Sequence, residues 1–297
     1  MPEDFAPNPA GCDWNEEWKR LQRHRRRPDD AAYWDKRART FSTKDAPNPY
    51  VERFLELAAI RPGETVLDMG CGTGALAVPL GEAGCRVVAA DFSQGMLDVM
   101  ADELSARGIG SVVPKLLSWS GDWAAAGIPA GSVDVAIASR SIAVDDLREA
   151  LLRLTDAARR RVCITLATGS SPRTDERILR AIGLCPLLGN DHVFAFNILS
   201  HEGLRPEVAY IDSVRKDTFD DEDEAFDVFA RMADGACGTT SPAPEMAAAL
   251  ARLRAWLDEN LVENERAGEP DKKGVPEKRL RLREPRIVTW AFLAWNI

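Results

Sequence analysis

Two carboxylates and a set of closely spaced glycines mark where this chain could do chemistry. In Thr65-Val-Leu-Asp-Met-Gly-Cys-Gly-Thr-Gly-Ala75, a short apolar run ends in Asp68 and is followed by Gly70, Gly72 and Gly74. Arg86-Val-Val-Ala-Ala-Asp91 repeats the design, an apolar run ending in an acid, 17 residues beyond Gly74. Glycines at that spacing let the backbone take positive φ or lie directly against a ligand. Gly70-x-Gly72-x-x-Ala75 satisfies a loose dinucleotide fingerprint, in which a pyrophosphate rests on a helix N-terminus. Asp68 argues against that ligand, because like charges close together in a partly desolvated crevice repel. The same carboxylate attracts a cationic nucleoside. Asp91, at the tip of the second strand, suits ribose hydroxyls, which donate to a carboxylate.

Asp68-x-Gly70-x-Gly72-x-Gly74 resembles the first motif of the class I S-adenosylmethionine-dependent methyltransferases, and Asp91-Phe-Ser-Gln-Gly-Met-Leu97 is similar to the family's Asp-x-Ser-x-x-Met-Leu. S-adenosylmethionine carries an α-ammonium and a sulfonium and no phosphate, which agrees with the charge argument. The resemblance covers about residues 30–215 and the last strand. It implies S-adenosylmethionine as cofactor and S-adenosylhomocysteine as product. It also implies cofactor contacts from Asp68, Gly70, Cys71, Gly72, Gly74, Asp91, Phe92, Met96, Ser118, Trp119 and Ser139, with Phe92 and Met96 flanking the adenine. Met96 equally suits plain packing, since Met96, Met100 and Leu104 recur at helical spacing behind Ser93, a residue suited to capping. After the third strand two registers fit the adenine-facing segment, Ser118 with Trp119 or Asp122 with Trp123; the first follows the strand end more directly.

The elements that must position these residues alternate strand and helix, so an α/β fold is expected. The resemblance specifies a Rossmann-like seven-stranded sheet in the order 3-2-1-4-5-7-6, the last strand antiparallel. Pro114 lies inside the third strand, at residues 110–117, and proline cannot donate to a ladder, so that strand belongs at an edge. Pro79 predicts a short or kinked helix after the glycine loop. Asn48-Pro49 opens a helix running to Ile60. Strands follow at 132–141, 161–167, 205–214 and 286–295, with a helix carrying Leu147, Leu151, Leu154 and Ala158 between the first two. Four segments are expected: residues 1–47 as a helical lid, 48–219 as the core, 220–283 as a helical insertion and 284–297 as the final core strand.

In the first segment Asp13 caps a helix with Trp14, Trp18 and Leu21 on its apolar side; Pro28 closes it, and Asp29 or Asp30 caps the next, with Trp34, Ala38 and Phe41. Tyr33-Trp-Asp-Lys-Arg-Ala38 resembles a segment that folds over the cofactor in small-molecule methyltransferases, making Tyr33, Trp34 and Arg37 lid candidates. Core packing is the alternative. The basic residues Lys19, Arg20 and Arg23 to Arg27 fall mostly on the polar side of an amphipathic helix. The insertion holds an acidic helix at 221–232 and a longer one capped by Ser241-Pro242, with Met246, Leu250, Leu253, Leu257 and Leu261 at helical spacing. The charged run at 272–283 reads as a mobile loop.

The fourth strand ends in Ser139-Arg140-Ser141, with none of the tip motifs that hold a nitrogen nucleophile or attack cytosine. Methyl transfer by proximity and orientation is therefore expected, a contribution of roughly 7–11 kcal/mol. Arg140 could anchor a substrate carboxylate or phosphate, or pair with Asp145 or Asp146. The turn-rich segment at 169–192 should border the substrate pocket, and His192, beside Asp191, is the candidate general base, with a histidine satisfied at a helix start as the alternative.

The chain of 297 residues is 45% hydrophobic and 29% charged, which fits a water-soluble globular protein with a sizeable core. A net charge of −9 gives no general attraction for nucleic acid. Six cysteines without a Cys-x-x-Cys pair and three histidines predict no metal site, and reduced thiols in the cytoplasm. Met-Pro-Glu-Asp is not the start of a signal peptide, and no apolar run is long enough to span a membrane. The leading expectation is a methyltransferase acting on a small-molecule acceptor, as a monomer or homodimer. The alternatives are a macromolecular methyltransferase for protein or RNA, a nicotinamide oxidoreductase, and a catalytically idle binding module.

Overall fold

The computed structural model describes residues 12–24, 30–41, 49–184, 190–237, 243–271 and 274–297. Arg25 to Arg27, Pro28, Asp29, Asn48, the Ser241-Pro242 pair and Lys272 lie outside the described residues. Three helices, α1 (Trp14–His24), α2 (Ala31–Phe41) and α3 (Pro49–Ala58), come before the first strand. The chain then alternates through β1 (Thr65–Met69), α4 (Ala77–Glu82), β2 (Arg86–Asp91), α5 (Gln94–Arg107), β3 (Val112–Leu116) and β4 (Val133–Ser139). It continues through α6 (Leu147–Ala157), β5 (Ala158–Ala167), α7 (Glu176–Ala181), α8 (Asp191–His201) and β6 (Glu207–Arg215). Last come β7 (Thr218–Phe219), α9 (Glu222–Cys237), α10 (Ala243–Asn260), β8 (Leu261–Glu263), β9 (Leu280–Leu282) and β10 (Arg286–Asn296).

The main sheet has the order β3-β2-β1-β4-β5-β10-β6. All strands are parallel except β10, which is antiparallel to both β5 and β6. This is the expected topology, with β10 as the seventh strand. β3, which holds Pro114, pairs only with β2, so the missing N–H falls on an edge strand. β1 and β4 are central and covered on both faces, which explains why consecutive residues, 66–69 and 135–138, are buried. α4 has only six residues, and Pro79 sits in its first turn, where an N–H has no intrahelical acceptor anyway.

One face of the sheet packs against α1, α6 and α8, the other against α3, α4 and α5. α1 packs one face into the main core. Trp18 is fully buried in the main core, its indole N–H donates to the Val144 carbonyl at 2.7 Å, and its ring meets Phe194 of α8 edge-on. Lys19, the first of the basic residues, is tied to Asp146 at 2.9 Å and to Glu16 at 3.1 Å. β5 begins three residues earlier than the apolar pattern indicates, at Ala158, because Val133 pairs with Ala158 across an irregularity in the β4 register.

The segment after β6 is more than helical. β7, β9 and β8 form a second, three-stranded antiparallel sheet, which packs with α9 and α10 around its own apolar cluster. Leu261 leaves the helix to open β8, opposite Leu282. The charged run read as a mobile loop contains β9, where Leu280 and Leu282 point into this core and Arg281 between them pairs with Glu265. That alternation is a strand pattern masked by neighbouring charge. Ile178, Leu179 and Ile182, from and just after α7, pack into the same cluster. Among the described residues no helix is long and apolar enough to cross a membrane.

Candidate active site

β1 ends at the centre of the sheet, and the chain must turn there to enter α4. The glycines make the turn, with φ of +75° at Gly70, +54° at Gly72 and +86° at Gly74. These are left-handed values that side chains with a Cβ avoid. The Gly70 and Cys71 amides donate to the Ala90 carbonyl at the end of β2, binding the loop to the neighbouring strand. A Cβ on Gly70 would come within 2.2 Å of Ser141 Cβ, so the segment after β4 closes directly onto the loop. A Cβ on Gly72 would meet nothing within 4 Å. Gly72 therefore faces open space at the point where the strand tips converge.

Two carboxylates border that space. Asp68 is 2% exposed, and its Oδ2 has no hydrogen-bond partner. Burial pushes its pKa up to about 7, and the negative charge of Asp91 adds to the shift. A buried carboxylate oxygen without a partner is costly, and a cationic or hydrogen-bonding ligand removes the cost. Asp91 is held differently. Its Oδ2 accepts from the Gly72 amide and its Oδ1 from the Ser93 amide, both at 2.9 Å. These two amides set the orientation of the carboxylate. Cys71 is buried beside both acids, and burial first, then Asp68 and Asp91, keeps its thiol well above the ordinary range.

The segment after β3 places the residues of the two candidate registers differently. Asp122 is exposed and caps a turn at the Ala125 amide, and Trp123 is buried in the main core. Trp119 is half-buried, and its indole N–H donates to the Ser141 carbonyl at 3.1 Å, beside the glycine loop. Ser118 lies next to it, directly after Leu117, whose amide donates to the Asp91 carbonyl. Phe92 is half-buried. Met96 is buried yet belongs to none of the three apolar clusters, and its amide donates to the Ser93 side chain.

α2 reaches this end of the sheet through a residue the sequence analysis passed over. Asp35 Oδ1 accepts from Ser93 Oγ at 2.6 Å and from the Gly95 amide at 2.8 Å, joining α2 to the first turn of α5. The Ser93 hydrogen bond, then the Gly95 amide, lowers the Asp35 pKa. Tyr33 and Trp34 meet edge-on, with the Arg37 guanidinium 5.3 Å from the Tyr33 ring centre. The three lid candidates thus share the helix that Asp35 anchors.

A polar cluster at the tips of β4 and β5 was also missed. Tyr50 of α3 places its hydroxyl 2.7 Å from both Ser139 Oγ and Thr165 Oγ1. Burial raises its pKa, and nearby Arg140 pulls in the opposite direction. Arg140 pairs with neither Asp145 nor Asp146: its guanidinium lies over the Tyr50 ring, 4.4 Å from the centroid, and 5.9 Å from that of Trp290. His192 sits in the first turn of α8. Its Nε2 is 3.5 Å from the Tyr210 hydroxyl, and burial lowers its pKa. His192 therefore lies between Tyr210 of β6 and the Ala167 backbone at the end of β5. Among the described residues no group of three or more His, Cys, Asp or Glu side chains is placed to hold a metal ion.

A family model for a methyltransferase domain matches residues 66–160, from β1 into β5. The chain is 28% identical over 266 residues to an uncharacterized protein of Haemophilus influenzae, covering 89% of this chain and 88% of that protein. It is 41% identical over 99 residues to the nocamycin O-methyltransferase of Saccharothrix syringae, 32% of this chain and 34% of that enzyme. The match to this named relative thus spans only about a third of its length. A solved structure from work on the conversion of a disulfide bond into a thioacetal group during echinomycin biosynthesis shares the fold, with a TM-score of 0.50 at 20% identity over 90% of this chain and 92% of that one.

Proposed function

We propose that this chain is a class I S-adenosylmethionine-dependent methyltransferase that transfers a methyl group from S-adenosylmethionine to a small-molecule acceptor. The observation that carries the cofactor assignment is the buried, unpartnered Asp68 Oδ2 at the converging strand tips. It fits an ammonium or sulfonium and opposes a diphosphate.

In this reading Asp68 holds the cationic part of the cofactor and Asp91 receives the ribose hydroxyls. Phe92, Met96 and Trp119 wall the adenine, and Gly72 leaves room for close approach of the backbone. The chemistry supplied by the bound cofactor is an electrophilic methyl carbon on a sulfonium. The protein's part is to aim an acceptor at that carbon from the Ser139, Arg140 and Tyr50 side while α2 excludes water. Orientation of this kind contributes roughly 7–11 kcal/mol. A small acceptor is supported by the relative named for nocamycin. Of the basic residues of α1, which could otherwise favour a macromolecular acceptor, Lys19 is engaged by Asp146 and Glu16 and Arg20 by Glu17.

Calorimetric titration with S-adenosylhomocysteine, NAD and NADP tests the assignment. Binding of S-adenosylhomocysteine alone is expected; binding of either dinucleotide in its place would overturn it.

A further inference from the structure

We propose that Arg140 is the anion-binding residue of this site, placed to receive a carboxylate or a phosphate. The proposal takes from the methyl-transfer reading only the identity of the crevice it serves. Four observations converge on this side chain. Its φ of +59° is a left-handed value rarely taken by residues with a side chain, and such a conformation persists only where its surroundings impose it. The surroundings do so here: the Arg140 amide donates to Thr165 Oγ1 at 3.0 Å, and the following residue, Ser141, donates through Oγ to the Met69 carbonyl at 2.6 Å. Arg140 is thereby held beside the glycine loop.

The guanidinium is supported by an aromatic ring that is itself fixed. Tyr50 cannot turn freely, because its hydroxyl is bonded to both Ser139 and Thr165. Stacking on a ring engages the π face of a guanidinium and leaves its in-plane N–H donors available. No acid takes them: among the described residues no carboxylate lies within salt-bridge distance of Arg140. Asp146, the nearby candidate, is occupied by Lys19, Asn15 and the Glu149 amide. An arginine held in a constrained backbone, seated on a fixed ring and, among the described residues, without a carboxylate at salt-bridge distance is prepared for a planar or tetrahedral oxyanion. At the tip of β4, beside Gly70, such an anion comes from one of two sources, the carboxylate of the cofactor's amino-acid tail or an acidic group on the acceptor.

Calorimetry on wild type, Arg140→Gln and Arg140→Lys decides both the proposal and the source. S-adenosylhomocysteine carries the carboxylate, and 5′-methylthioadenosine lacks the whole amino-acid tail. If the cofactor supplies the anion, Arg140→Gln loses about tenfold or more in affinity for the first and keeps its affinity for the second, the size of a lost charge-assisted hydrogen bond. If the acceptor supplies it, S-adenosylhomocysteine binding is unchanged. Wild type then binds benzoate or inorganic phosphate, titrated with and without S-adenosylhomocysteine, and Arg140→Gln does not. Arg140→Lys, which keeps the charge without the fork, falls between the two in either case. Equal affinities of wild type and Arg140→Gln for all four probes would overturn the proposal. A wild-type protein that ignores S-adenosylhomocysteine would overturn the methyl-transfer reading, and the benzoate and phosphate titrations would still decide Arg140.

Discussion

Asp35 and Ser93 are 58 positions apart in the chain and share a 2.6 Å hydrogen bond from Ser93 Oγ to Asp35 Oδ1. Ser93 also caps α5 by accepting from the Met96 amide, and its own amide donates to Asp91. One serine therefore connects the acid proposed to hold the ribose, the helix that carries Met96 and the N-terminal helix proposed as a lid. A Cβ on Gly95 would lie 2.9 Å from Asp35 Cα, so the two backbones are in direct contact there.

Asp35→Ala removes the acceptor for Ser93 Oγ and for the Gly95 amide. We expect the amides of α2 to exchange with deuterium several times faster in the variant, with the core strands unchanged. S-adenosylhomocysteine should bind more weakly, chiefly through faster dissociation. Unaltered exchange in α2 would show that the helix is held by its apolar contacts instead.

Asp68 exchanges stability for binding. Its pKa in the folded chain is about 7, above the ordinary value of 3.8, so the folded state holds a proton that the unfolded chain releases. Its contribution to stability is therefore greatest below the ordinary value and is lost as pH rises to about 7. Asp68→Asn removes the ionisation, so its melting temperature should gain on wild type as pH rises from about 5 to about 8, by the equivalent of roughly 2 kcal/mol. The same variant should bind S-adenosylhomocysteine poorly at every pH. A constant difference in melting temperature across that range would mean that Asp68 does not titrate there.

Gly70 and Gly72 both have positive φ but should fail differently on substitution by alanine. Gly70→Ala drives a methyl into the side chain of Ser141 and should greatly reduce the yield of folded protein. Gly72→Ala meets open space in the free protein and carries only the left-handed penalty, about 1–2 kcal/mol. It should fold and yet lose S-adenosylhomocysteine binding, as read by circular dichroism together with calorimetry. Retained binding would place the ligand away from Gly72.

Asp91→Ala removes the carboxylate proposed to take the ribose hydroxyls and also releases the Gly72 and Ser93 amides. We expect S-adenosylhomocysteine affinity to fall by roughly 1.5–3 kcal/mol, the range for hydrogen bonds to a charged group. Asp91→Asn, which keeps one acceptor oxygen, should lose less. Wild-type affinity in the alanine variant, measured by calorimetry, would remove Asp91 from the site.

The features legible in the sequence are those encoded over a few neighbouring residues. The glycine turn, the acids ending β1 and β2, the Ser93 cap and the edge position required by Pro114 all follow from local backbone preferences and donor counts, which do not depend on what packs around them. Features made by distant partners were not legible. Tyr50 meets Ser139 and Thr165 only because the sheet order brings the tips of β4 and β5 together under α3, across separations of 89 and 115 residues. Trp18 reads as the apolar side of any amphipathic helix until Val144 and Phe194 receive it in the main core. Leu280 and Leu282 were concealed by charge because a three-residue strand is too short to display its period. The sequence by itself determined the glycine turn and its two acids, because φ preference and charge are properties of the residues. Only the tertiary structure decided that Arg140 would rest on the Tyr50 ring, because that depends on which surfaces the folded sheet brings into contact.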